Sequence, residues 1–199
     1  MYNIRYGLSY LRHRFLANNR HGIHSPFVYK LIDTVIYDYT SQKVYRDIKE
    51  ICRKQHSDKS VINTLPLKFY RLLYRFAVYF KPQTVLLADT EDYISAFVIK
   101  QANPEVQSIS SATSGIRKAD MILADALKQN AASFLEKVMP SVHDDTVVIF
   151  ANIHRNAATK QSWEQLKLNQ QVRATIDLYF IGMVFFKPGM SKEDFKVRY

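Results

Sequence analysis

FKPQTVLLADTEDYIS, residues Phe80–Ser95, is the stretch whose reading decides how the chain is built. Lys81-Pro82 ends the helix before it, because a residue preceding proline is pushed out of helical geometry. Thr84–Ala88 follows as a short, continuously apolar run, the pattern of a strand buried on both faces. Ile94–Gln101 then returns to helical spacing. Helix, buried strand and helix in quick succession predict a parallel sheet covered by helices.

Toward the C-terminus the alternation repeats. Val106–Ser110, Met121–Ala124 and Thr146–Ala151 read as strands, with Ala131–Met139 and Ala158–Leu168 as helices. The end changes character: Ala174–Phe186 reads as one long strand, Lys187-Pro188-Gly189 as a turn and Phe195–Tyr199 as a last strand. Parallel neighbours need a crossover of a dozen or more residues, so this short connection predicts antiparallel pairing. The expected fold class is α/β, a doubly wound and mostly parallel sheet with an antiparallel C-terminal hairpin and an N-terminal helical extension.

Toward the N-terminus the periodicity is helical throughout. Tyr2–Leu16 forms a first helix, and Asn18–Gly22 breaks it. Ser25-Pro26 opens a second carrying Phe27, Leu31, Ile32 and Val35, since serine caps and proline suits the first helical position. Ser41–Lys54 reads as a third helix and Gln55–Thr64 as a polar, mobile loop. In Pro66–Phe80, the apolar residues Leu67, Tyr70, Leu73, Tyr74, Ala77 and Phe80 recur at helical spacing beside Lys68, Arg71 and Arg75. Residues 1–65 are therefore read as a helical extension packed on an α/β domain of residues 66–199, the two making one structural unit.

Composition bounds the function classes. A chain of 199 residues, 47% hydrophobic and 23% charged, has room for one domain with a real core and excludes a disordered or collagenous chain. Cys52 is the lone cysteine, so no disulfide can form within the chain, and it reads as a small core hydrophobe. No stretch approaches the roughly 20 apolar residues of a membrane span. The opening MYNIRYGLSYLRHRF lacks the apolar block of a signal peptide, and the expected location is the cytoplasm.

The formal net charge is +10, and it is uneven: Arg5, Arg12, Arg14, Arg20 and Lys30 all precede the first acid, Asp33. The first reading is a solvated basic face, with Tyr2, Tyr6 and Tyr10 at i, i+4, i+8 packing against the body. The alternative is nucleic-acid or anionic-membrane binding. His21 and His24 could share a helical face, but with no cysteine or carboxylate nearby they read as hydrogen-bonded anchors rather than metal ligands. Trp163 and Leu166 read as a buried helix face. No strained Gly-x-Ser-x-Gly turn or phosphate-cradling glycine loop occurs, and Ser114-Gly115 is an ordinary turn signal.

Five stretches together resemble the class I S-adenosylmethionine-dependent methyltransferases, in particular an O-methyltransferase-like bacterial branch. They are HGIHSPFVYKLI (His21–Ile32), FKPQTVLLADTEDYIS (Phe80–Ser95), ADMILADA (Ala119–Ala126), DDTVVIFANIHRN (Asp144–Asn156) and IDLYFIGMVFF (Ile176–Phe186). The resemblance implies a Rossmann-like sheet with the cofactor lying across the C-terminal ends of its first strands. It also implies an acid at the end of the first strand, a glycine-rich turn after it, and an acid after the second strand.

The chain departs from each of these. Leu87 stands where the family has its first acid, and Asp89 and Tyr93 stand where it has glycines. Leu87, Asp89, Thr90, Tyr93 and Ser110 are thus vestigial cofactor positions. A phenol at Tyr93 would take up ligand volume, and Asp89, Glu91 and Asp92 would set negative charge beside the cofactor carboxylate. These three acids could alternatively hold a cation, but a solvated loop is the simpler account.

The second strand runs into Ser108-Ile109-Ser110-Ser111-Ala112 with no carboxylate, and little room remains before Asp120 for the helix and third strand the family has there. Metal-dependent relatives carry acids after the fourth and fifth strands. Asp125 survives from the first, whereas Ala151-Asn152 replaces the second. His154 and Asp125 are the remaining candidate acid/base residues, and no metal is expected. The sequence therefore reads as a methyltransferase-like pseudoenzyme that binds no cofactor and serves an unidentified protein or small-molecule partner. The alternative is an active methyltransferase with an atypical S-adenosylmethionine site.

Overall fold

The computed structural model describes residues 4–19, 22–57, 65–88, 93–110 and 118–199. Four helices come first: α1 (Ile4–Leu16), α2 (Pro26–Leu31), α3 (Val44–Ser57) and α4 (Leu67–Phe80). Then follow β1 (Thr84–Leu87), α5 (Tyr93–Ala102), β2 (Ser108–Ser110), β3 (Met121–Asp125), α6 (Ala131–Val138), β4 (Val147–Ala151), α7 (Ala157–Lys167), β5 (Ala174–Asp177), β6 (Ile181–Phe185) and β7 (Glu193–Lys196). The predicted caps hold: Ser25 accepts the Val28 N–H with Pro26 in the first turn, and α2 runs on as a π-helical segment, Ile32–Ile36. Gln55–Ser57 lie inside α3 rather than in a loop, because none of the three is a proline or glycine that would stop the helix. Residues 58–64 lie outside the described residues.

The strands form one seven-stranded sheet in the order β2-β1-β3-β4-β6-β5-β7. β2, β1, β3 and β4 pair in parallel, β6 is antiparallel to β4 and β5, and β7 is parallel to β5. The sheet is thus doubly wound and mostly parallel, with an antiparallel C-terminal hairpin. Among the described residues β2 is an edge and no strand lies beyond it, in keeping with the short span between β2 and β3.

The hairpin is made differently from the sequence expectation. Ala174–Phe186 is not one strand but β5, a turn at Leu178–Phe180, and β6. No glycine or proline marks that turn. Asp177 makes it: its Oδ1 accepts the Tyr179 N–H at 2.8 Å, a side chain standing in for a backbone turn, and Tyr179 takes φ +74°. The last strand, Glu193–Lys196, pairs with β5 in parallel, not with β6.

Strand alternation divides the core between the two faces of the sheet. Val85, Leu87, Met121, Leu123, Ile149 and Met183 face the helices before β2, in a cluster that reaches Val28, Leu31, Ile48, Cys52 and Leu73. Leu86, Ile122, Val148, Phe150 and Val184 face α6 and α7, where Trp163 is fully buried. The backbone of β6 passes close under that indole: a Cβ built on Gly182 would lie 2.5 Å from the Trp163 ring.

Candidate functional site

In open α/β sheets ligands bind outside the carboxyl ends of the parallel strands, so the tips of β1 to β5 are where a site belongs. β1 ends in Leu87, buried with its side chain in the core that faces α4 and α5. Ala88 follows, its N–H donated to the Leu123 carbonyl and its own carbonyl accepting from the Gln129 amide at 3.3 Å. Asp89 and Thr90, with Glu91 and Asp92, lie outside the described residues. Tyr93 opens α5 and is 55% exposed. Ser110 ends β2 opposite Leu86.

Asp125 ends β3 and is buried. Its Oδ1 accepts the Leu127 N–H at 2.9 Å and the Asn152 amide at 2.9 Å. Asn152, just past β4, holds the left-handed conformation at φ 61°, which turns its side chain back to that carboxylate. Asparagine tolerates this region better than most residues. The two candidate positions at the ends of β3 and β4 are therefore joined to each other.

His154 does not join that pair. Its Nε2 lies 2.7 Å from Oδ2 of Asp177 at the end of β5, while Nε2 of His13, on α1, lies 3.0 Å from Oδ1 of the same carboxylate. The His154 ring stacks on Tyr179 with centroids 5.1 Å apart, and Tyr6, Tyr10 and His13 pack on the same phenol. The Tyr179 hydroxyl donates to the Tyr6 carbonyl at 2.7 Å. Burial pushes the Asp177 carboxyl up, but hydrogen bonds and positive charge from His13 and His154 outweigh it and hold the group well below the usual carboxylate range.

His13, Asp177 and Tyr179 are thus the members of this cluster that sequence reasoning missed. A partial signal existed, because His13 falls on the helix face marked by Tyr6 and Tyr10, and both tyrosines do pack on the body as expected. His13, His154 and Asp177 also form a group whose ligand atoms lie within 4.8 Å of one another, close enough for one metal ion. As it stands, both imidazoles spend their Nε2 atoms on the carboxylate, which makes the group a clamp between α1 and β5. His24 is exposed, and His21 lies outside the described residues. Among the described residues no helix is long and apolar enough to cross a membrane.

No family model matches the chain, and no curated protein matches it. Solved structures do. A methyltransferase from Geobacter sulfurreducens is 14% identical, with a TM-score of 0.52 over 82% of this chain and 98% of its own. A Podospora anserina methyltransferase, solved with SAH bound, is 9% identical with a TM-score of 0.56 over 83% and 97%. The O-methyltransferase TomG from Streptomyces achromogenes, solved in complex with SAM, is 10% identical with a TM-score of 0.52 over 78% and 95%. At such identity the likeness is one of fold: the chain has the architecture of class I S-adenosylmethionine-dependent methyltransferases, with the Rossmann-like sheet that the sequence predicts.

Proposed function

We propose that this chain keeps the methyltransferase architecture without S-adenosylmethionine-dependent catalysis and acts by binding a protein or small-molecule partner. The observation that carries this reading is the state of Asp125. It is the one carboxylate among the last residues of β1 to β4, and its Oδ1 is committed to Leu127 N and the Asn152 amide. Leu87 adds to it, since a buried leucine offers no oxygen where a carboxylate is needed. Ser110 at the tip of β2 likewise supplies no negative charge for ribose hydroxyls. These residues do not fit the cofactor. Fold and function separate readily in this way, because activity depends on the groups placed at the site and not on the scaffold.

The test is a titration of the full chain with S-adenosylmethionine and S-adenosylhomocysteine, followed by thermal denaturation and calorimetry. A ligand specific for the native state adds about 2.7 kcal/mol when present at 100 times its dissociation constant. The expected result is a melting temperature that stays level across the titration. A concentration-dependent rise would overturn this reading and leave the second, a methyltransferase with an atypical cofactor seat, which a methyl-transfer assay would then test. That reading is favoured by one observation, that the Podospora anserina protein of the same fold was solved with SAH.

A further inference from the structure

Lys68, Arg71 and Arg75 recur along one face of α4 and open on a cavity of ≈ 500 Å³. Tyr39, Tyr45 and Tyr199 supply the facing wall. Among the described residues no Asp or Glu side chain lines this cavity. Asp38, the acid that acts on Arg75 and Tyr45 from outside the lining, spends an oxygen on the Thr40 N–H at 2.8 Å. Three cations facing one space repel one another, and no acidic side chain among the described residues of the lining offsets them.

Two polar groups here are buried without a partner. The Arg71 Nε has no acceptor, and its guanidinium lies 5.3 Å over the Tyr45 ring. The Tyr45 hydroxyl has none either, although the residue is 8% exposed; Arg75 lies beside it outside hydrogen-bonding geometry. Native proteins rarely leave such groups unsatisfied, because desolvation without a hydrogen bond is costly. Lys68 is an exposed residue whose ammonium nevertheless sits 3.6 Å from the Phe180 ring centroid, where burial lowers its pKa.

Arg75 is held rigidly. Its Nε donates to the Val35 carbonyl at 2.7 Å, and its Nη2 to the Ile36 carbonyl at 3.3 Å and the Tyr199 hydroxyl at 2.9 Å. Its charge cannot swing away from the cavity wall. A fixed guanidinium, a second guanidinium and an ammonium on one wall are a donor set that matches a phosphoryl dianion. The volume exceeds that of a bare anion and falls in the range of small-molecule sites, roughly 300–1,000 Å³. We propose that this cavity binds a phosphorylated small molecule, with Arg71 and Lys68 on the phosphoryl group and the tyrosine rings against its organic part.

None of the strand-tip residues lines this cavity, so the inference stands or falls apart from the reading given above. The probes are uridine 5′-monophosphate and inorganic phosphate, with uridine and sodium chloride at matched ionic strength as controls. Binding to the full chain is followed by calorimetry and melting temperature. The expected result is binding of uridine 5′-monophosphate, weaker binding of phosphate and none of uridine. Arg71→Gln and Lys68→Gln should each weaken the nucleotide on the order of tenfold while the unliganded melting temperature holds, and Arg71→Lys should restore part of the loss. Lys68 is exposed, so Lys68→Gln folds even if Arg71→Gln does not. No response to either phosphate probe at millimolar concentration overturns the proposal, as does equal affinity in wild type and variants. Phosphate binding without nucleotide binding overturns the organic-phosphate assignment.

Discussion

Oδ1 of Asp177 lies 3.0 Å from Nε2 of His13, a residue 164 positions earlier, and this contact fastens the first helix to the tip of β5. His154 closes the other side of the same carboxylate at 2.7 Å, and Tyr179 lies under both imidazoles. Asp177 is 2% exposed, so its charge depends on these partners and on the Tyr179 N–H.

Asp177→Asn removes the charge while keeping the shape. Breaking a buried pair from one side leaves the other side uncompensated, so the variant should lose about 3 kcal/mol in urea denaturation at neutral pH. His13→Ala should cost less and should raise amide exchange chiefly within α1. Equal exchange along α1 in wild type and His13→Ala would show that the helix is held by its tyrosines alone.

The same carboxylate sets a pH dependence. Its folded pKa is depressed below the unfolded value, so its contribution is fully present above the ordinary aspartate pKa of about 3.9 and is lost as pH falls below it. Between neutral pH and about pH 5 this group should leave stability level. Below that range the wild type should lose stability more steeply than Asp177→Asn, which has no such group to protonate. Parallel acid limbs for the two proteins would contradict this assignment.

Gly182 and Trp163 define a close approach that admits no side chain. The Cβ added by Gly182→Ala would fall 2.5 Å from a fully buried ring, forcing strand or indole to move. Overpacking of this kind costs about 1–3 kcal/mol, and Trp163→Phe in the same background should recover part of it. Urea denaturation of the single and double variants checks the coupling.

Asn152 combines a left-handed backbone with a hydrogen bond to Asp125. Asn152→Ala loses both advantages and should cost roughly 2 kcal/mol, whereas Asn152→Gly keeps the backbone and should cost less. If both variants melt with the wild type, the amide does not anchor the carboxylate.

The strands β1, β3 and β4 announce themselves as TVLL, MILAD and VVIFA, short apolar runs rich in branched residues that suit a strand buried on both faces. Trp163, Leu166 and Cys52 were read as core and are buried. The Leu178–Phe180 turn was not legible, because it is made by apolar residues and depends on one side-chain hydrogen bond from Asp177. The burial of Arg75 is not legible in the helical spacing, because it depends on the carbonyls of Val35 and Ile36 and the hydroxyl of Tyr199, which receive it there.

By itself the sequence determined most element types, their order and the buried strands, together with the identity of Leu87 and Ser110 as residues without a carboxylate. Each of these follows from local periodicity or from the identity of a residue at a known place in a strand. Only the tertiary structure decided that β7 joins β5, that His13 and His154 share Asp177, and that Lys68, Arg71 and Arg75 face one cavity. The physical reason is that charge pairing and edge pairing depend on which distant groups meet when the chain closes. A one-dimensional pattern does not carry that information.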